Sequence, residues 1–99
     1  MESLTESMFY VLMSLLNGEK CGTEAADWVA ARTGGRVRLG PGTLYTILGR
    51  FQEEGLIRET AVEGRRRTYA LTSEGRRRYD MEVARLRACL TDAEEAARL

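Results

Sequence analysis

The sequence predicts a mainly α-helical domain with one small β-hairpin and a long C-terminal helix. Three observations predict it. Apolar residues recur at helical spacing in four stretches. Between residues 57 and 71 the period changes to two. Glycine-bearing breaks at Asn17-Gly18, Gly34-Gly35, Gly55 and Glu63-Gly64 separate the stretches. Ninety-nine residues make one domain, and 43% hydrophobic with 30% charged residues is the composition of a chain that folds.

A first helix is expected over 5–16, capped by Thr5, with Met8, Val11, Leu12, Leu15 and Leu16 on its apolar face. A second runs over 23–32, with Thr23 as cap and Ala25, Ala26 and Val29 toward the core. Arg36 to Leu39 reads as a short extended segment. The third helix is the best defined, around 41–54. Pro41 suits the first helical position, Leu44, Ile47, Leu48 and Phe51 form an i, i+3, i+4, i+7 stripe, and Gly55 ends it. The wing-like hairpin occupies about 58–71, with Arg65, Arg66 and Arg67 at or just beyond its tip. Thr72 or Ser73 caps a last helix with Tyr79, Val83, Leu86 and Leu90 along one seam, and Thr91-x-x-Glu94 marks a place where it can break and restart.

The formal net charge of zero hides a division. Residues 1–31 carry −4, residues 32–78 carry +6 from eleven arginines against five glutamates, and residues 79–99 carry −2. The outer face of the third helix holds Thr43, Tyr45, Thr46, Gly49 and Arg50, with no carboxylate before Glu53. Such a face can lie against phosphates and base edges. Three helices followed by a hairpin is the order of a winged helix-turn-helix, in which the third helix enters the major groove.

Other chemistries lack their residues. There is no histidine, no G-x-S-x-G, no phosphate-binding glycine loop and no metal-ligand spacing, so no catalysis, cofactor or metal is expected. No apolar run approaches the roughly 20 residues of a membrane span. The start MESLTES has the character of neither a signal nor a transit peptide. Cys21 and Cys89 read as two inert free thiols in a cytoplasmic setting.

The run Gly40-Pro41-Gly42-Thr43-Leu44-Tyr45, then Leu48, then Glu53-Glu54-Gly55-Leu56-Ile57, then Arg65-Arg66-Arg67-Thr68-Tyr69-Ala70-Leu71-Thr72-Ser73-Glu74-Gly75, resembles the PadR family of transcriptional regulators. The resemblance spans about residues 4–90. It implies a cytoplasmic homodimer that binds a pseudo-palindromic double-stranded DNA operator, usually as a repressor. It further implies a winged helix-turn-helix over 1–72 and a single dimerisation helix over 73–99, as in the smaller subfamily. Members typically carry a capping residue where this chain has Gly40, and often a proline and a basic residue where Thr46 and Gly49 stand. The GYE at the start of their second helix is here Gly22-Thr23-Glu24.

The expected DNA contacts are Thr43, Tyr45, Thr46, Arg50, Arg65, Arg66 and Arg67, with Arg38 of the same kind. Tyr45 can instead pack on the wing, and Arg50 can instead pair with Glu53 or Glu54. Tyr79, Val83, Leu86 and Leu90 read as a dimer seam or as a helix lying on its own domain, with Met8 and Leu12 as further residues facing the partner. Trp28 is either a packing residue or, as related regulators imply, a contact for a small aromatic effector. Two rivals stay open: an interaction module that does not bind DNA, and a drug-sequestering dimer.

Overall fold

The computed structural model describes residues 3–99. Its elements run α1 (Glu6–Ser14), β1 (Lys20–Cys21), α2 (Gly22–Arg32), α3 (Pro41–Glu53), β2 (Ile57–Glu63), β3 (Arg66–Leu71) and α4 (Ser73–Ala97). The sheet is antiparallel with strand order β1-β3-β2, so the hairpin has a third, very short strand beside it. Two residues are too few to show a period, which is why β1 is invisible in the sequence.

Thr5 caps α1, its hydroxyl accepting from the Met8 N–H at 3.2 Å. The chain then turns through Gly18, where φ is +146°, and Lys20 donates to the Ser14 carbonyl at 2.6 Å. The start of α2 differs from expectation. Cys21, rather than Thr23, is the N-cap, and the Glu24 carboxylate reaches back to accept the Cys21 N–H at 2.9 Å. Pairing of Lys20 and Cys21 with β3 fixes the chain before Thr23 and starts the helix earlier.

Residues 36–39 form no strand. The Thr33 hydroxyl instead accepts from the Val37 N–H at 3.0 Å and donates to the Val29 carbonyl at 2.9 Å, pinning the loop onto the end of α2. Arg36 reaches α1, donating to Glu6 at 2.8 Å and to the Tyr10 hydroxyl at 2.9 Å.

Val11 and Leu12 of α1, Leu44, Ile47, Leu48 and Phe51 of α3, Leu56, Ile57 and Tyr69 form the centre of the core. The stripe predicted for α3 is the stripe buried. Burying a side chain of this size contributes about 1.5–3 kcal/mol, so α3 is held by four anchors along its inner face.

Thr72 caps α4, accepting from the Gly75 N–H at 3.0 Å and donating to the Gly55 carbonyl at 2.7 Å. Gly75 packs so closely on the sheet entry that a Cβ there would stand 2.1 Å from the Leu56 carbonyl oxygen. From this junction α4 runs without a break through Thr91, covering about 37 Å at 1.5 Å per residue. Residues 84–97 are exposed throughout.

Two residues expected to face a partner are buried within this copy. Leu12 has no exposed surface and Met8 only 8%, because both are spent in the chain's own core. Tyr79 stacks on Phe9 of α1, ring centroids 5.2 Å apart, which ties the first half of α4 to its own domain. Glu82 is also buried there, paired with Arg85 and held by the Leu4 backbone, and these contacts keep its carboxyl below the usual carboxylate range. Among the described residues no helix is long and apolar enough to cross a membrane.

Candidate nucleic-acid interface

The outer face of α3 is built by the same spacing that buries its inner face. Gly40 is the N-cap and makes no side-chain bond, so the first-turn N–H groups are left to solvent or a ligand. Thr43, Tyr45, Thr46, Gly49 and Arg50 are all exposed. A Cβ on Gly42 or Gly49 would meet nothing within 4 Å, so the face is level between the threonines.

Tyr45 is 52% exposed and leans on the start of α2, with Tyr69 of the wing strand β3 near it. A Cβ at Gly22 would stand 3.2 Å from its Cε1 and 3.3 Å from its hydroxyl oxygen. The missing side chain at Gly22 therefore makes room for the ring, which also lies near enough to Tyr69 to help raise that phenol. Burial is the larger cause of that rise, followed by Glu59.

Arg50 sits at the rim of this face. Its Nε is 3.6 Å from Glu54 Oε1, and it lines a cavity of ≈ 510 Å³ shared with Leu4, Met8, Leu56 and Met81. Arg38 folds back over its own loop, with Nη2 2.7 Å from where a Gly35 Cβ would stand.

The wing turns at Gly64-Arg65. Glu63 pairs with Arg66, Gly64 has φ +61° and Arg65 is not left-handed, the φ signs of a II′ turn. A bulge at Thr60 interrupts the ladder with β3. Successive strand residues point to opposite faces, so Arg66 and Arg67 diverge. Arg66 reaches Glu24 of α2 at 3.3 Å, and Arg67 reaches Glu59 of β2 at 2.8 Å. Glu59 holds the Arg67 guanidinium above its ordinary value, and the Cys21 N–H, ahead of Arg66, holds Glu24 below its own. Arg65 has no carboxylate within ion-pair distance among the described residues. Exposed ion pairs of this kind are weak, so both guanidiniums remain exchangeable.

Two residues escaped the sequence reading. Arg58 is exposed on β2 opposite Ala70, and its place inside the 58–71 stretch was the available signal. Glu24 shows no such role in the sequence, because nothing local reveals that β3 brings Arg66 to it. Trp28 is half-buried and lies outside the wall of the ≈ 510 Å³ cavity. Among the described residues no group of three potential metal ligands comes together.

The model of the transcriptional regulator PadR-like family matches residues 11–81. No curated protein shows a significant sequence match. A transcriptional regulator from Clostridium thermocellum is similar in structure, with TM-score 0.79 and 23% identity over 89% of each chain. A PadR family regulator from Clostridium difficile gives 0.77 and 21%, covering 91% of this chain and 96% of that one. Bacillus subtilis PadR, solved in complex with operator DNA, gives 0.70 and 19%, covering 80% of this chain and 47% of that one. A three-helix and wing fold bearing a level hydroxyl-rich helix, together with a family match over most of its length, means that this chain belongs to the PadR-like family of transcriptional regulators.

Proposed function

We propose that the chain is a cytoplasmic transcriptional repressor that binds a pseudo-palindromic operator as a homodimer. Each copy lays α3 in a major groove and rests β2–β3 on the flanking backbone. The observation that carries this reading is the outer face of α3, exposed from Thr43 to Arg50, free of carboxylates there, and flanked by an arginine-tipped hairpin. Thr43, Tyr45 and Thr46 are the candidates for contacts near the helix start, while Arg65, Arg66 and Arg67 neutralise phosphates.

Residues 1–72 serve as the DNA-binding part and 73–99 as the dimerisation helix. Support comes from the exposed apolar side chains on α4, Leu86 at 39% and Leu90 at 59%. Val83 and Tyr79 continue the seam inward.

Fluorescence anisotropy with a duplex from the region upstream of the chain's own gene tests the reading. Tight binding with a steep loss between about 50 and 200 mM salt is expected. Failure to bind any duplex in low salt would leave the interaction-module alternative in its place.

A further inference from the structure

The three wing arginines are not equivalent. Arg65 stands at the turn without a carboxylate partner among the described residues, and Arg67 pairs inside its own ribbon with Glu59. Arg66 alone bridges to a different element. Its Nη2 lies 3.3 Å from Oε1 of Glu24, in the first turn of α2. That same oxygen accepts the Cys21 N–H at 2.9 Å, so the carboxylate is held in place by backbone before it meets the guanidinium. Two residues earlier, Gly22 receives the Tyr45 ring. The start of α2 is therefore the point where the exposed ring of α3 and a basic residue of the wing converge on one fixed negative charge.

We propose that Glu24 sets how strongly the wing grips DNA: its carboxylate holds Arg66 against α2 in the free protein and must yield that guanidinium to a backbone phosphate on binding. The proposal rests on the DNA-binding reading above. Like charges repel, and a carboxylate fixed by a backbone bond cannot swing far from an incoming phosphate. Glu24 thus weakens binding to all sequences alike, because phosphates carry no sequence information. It also holds down the number of counterions that binding displaces from DNA, since Arg66 is already neutralised within the protein.

Glu24→Gln isolates this effect. Glutamine at the third helical position keeps an oxygen to accept the Cys21 N–H, so the cap survives while the charge is lost. Affinity of the full-length chain would be measured by anisotropy, on a fluorescent duplex from its own upstream region and on a mixed-sequence duplex. The expected result is binding tighter by about two- to fivefold on both, with a steeper salt dependence. Glu19→Gln, which removes an equal charge from a side chain without an ion-pair partner among the described residues, should give less.

In an Arg66→Ala background the Glu24→Gln gain should shrink to the size of the Glu19→Gln gain, because the pair is then already broken and only the loss of one negative charge remains. A Glu24→Gln protein that binds no tighter, or a gain that stays undiminished without Arg66, overturns the proposal while the regulator reading stands. If the unsubstituted chain binds neither duplex, the regulator reading itself falls and this proposal with it.

Discussion

Gly75 and Gly49 lack side chains for opposite reasons. At Gly75 the Leu56 carbonyl oxygen and Leu71 Cδ1 would stand 2.1 and 2.6 Å from a Cβ, and the carbonyl belongs to backbone that cannot step aside. Gly75→Ala should therefore lower stability by about 1–3 kcal/mol or more, read from denaturant unfolding. Gly49 lies in an exposed helix with open space around it, so Gly49→Ala should stabilise by about 0.5–1 kcal/mol in the same measurement. The helix cost at Gly49 was legible in the sequence. The crowding at Gly75 was not, because it depends on where residue 56 crosses α4.

Glu82 was equally hidden, an acid among acids on a polar helix. It is buried, which opposes its charged form, but the Arg85 guanidinium and the Leu4 backbone favour that form and prevail. Its folded-state titration lies below the ordinary value, so its contribution is complete above about pH 4.5 and drains away as acid takes the pH down through the depressed value. Glu82→Gln should flatten that acid limb of a stability-against-pH curve. It should change little in the comparison between pH 6 and pH 8.

At the level of elements, the helices were legible wherever a strong period met a clear stop. α3 matches the expected range within a residue, since Pro41 and Gly55 punctuate a four-anchor stripe. The misreadings fall where a local signal met a distant partner. Thr23 looked like a cap until β3 claimed Lys20 and Cys21, and residues 36–39 looked extended until Thr33 folded them onto α2. Thr91 looked like a restart, yet its surroundings favour helix and α4 passes through it. The wing's position was visible too, but not the partners of its arginines. Arg65, the one without a carboxylate among the described residues, is the least hindered of the proposed phosphate contacts in the free protein. Arg65→Ala should lower the magnitude of the slope of log affinity against log salt by about 1, with equal loss on specific and mixed duplexes. An unchanged slope would remove Arg65 from the interface.

For the whole molecule the decisive question is what covers the far half of α4. Its apolar residues cost the monomer nothing to change, because they are exposed already. Leu86→Glu with Leu90→Glu should leave helicity and unfolding midpoint nearly unaltered. It should shift sedimentation from dimer to monomer and weaken operator binding far more than binding by one copy to a half-site. A doubly substituted chain that still sediments as a dimer would place the interface elsewhere. Met8 and Leu12 illustrate the limit of pattern reading at this scale. Both lie on an apolar stripe, and only the packing of α1 into the shared core, against α2 and α4, shows that the stripe is used up inside one copy.

The molecule is 57 Å long but only 28 and 22 Å across, and a single uninterrupted rod of about 37 Å, locked at its root by Gly75, runs out from the domain. A rod of this kind works like a ruler with a screw thread. Each residue inserted beyond position 84 would push one reading head about 1.5 Å outward and swing it by about 100° around the axis. In the proposed dimer, the gap between half-sites that the pair can straddle is therefore fixed by rotation as much as by reach. An added whole turn should be forgiven where a single extra residue is not.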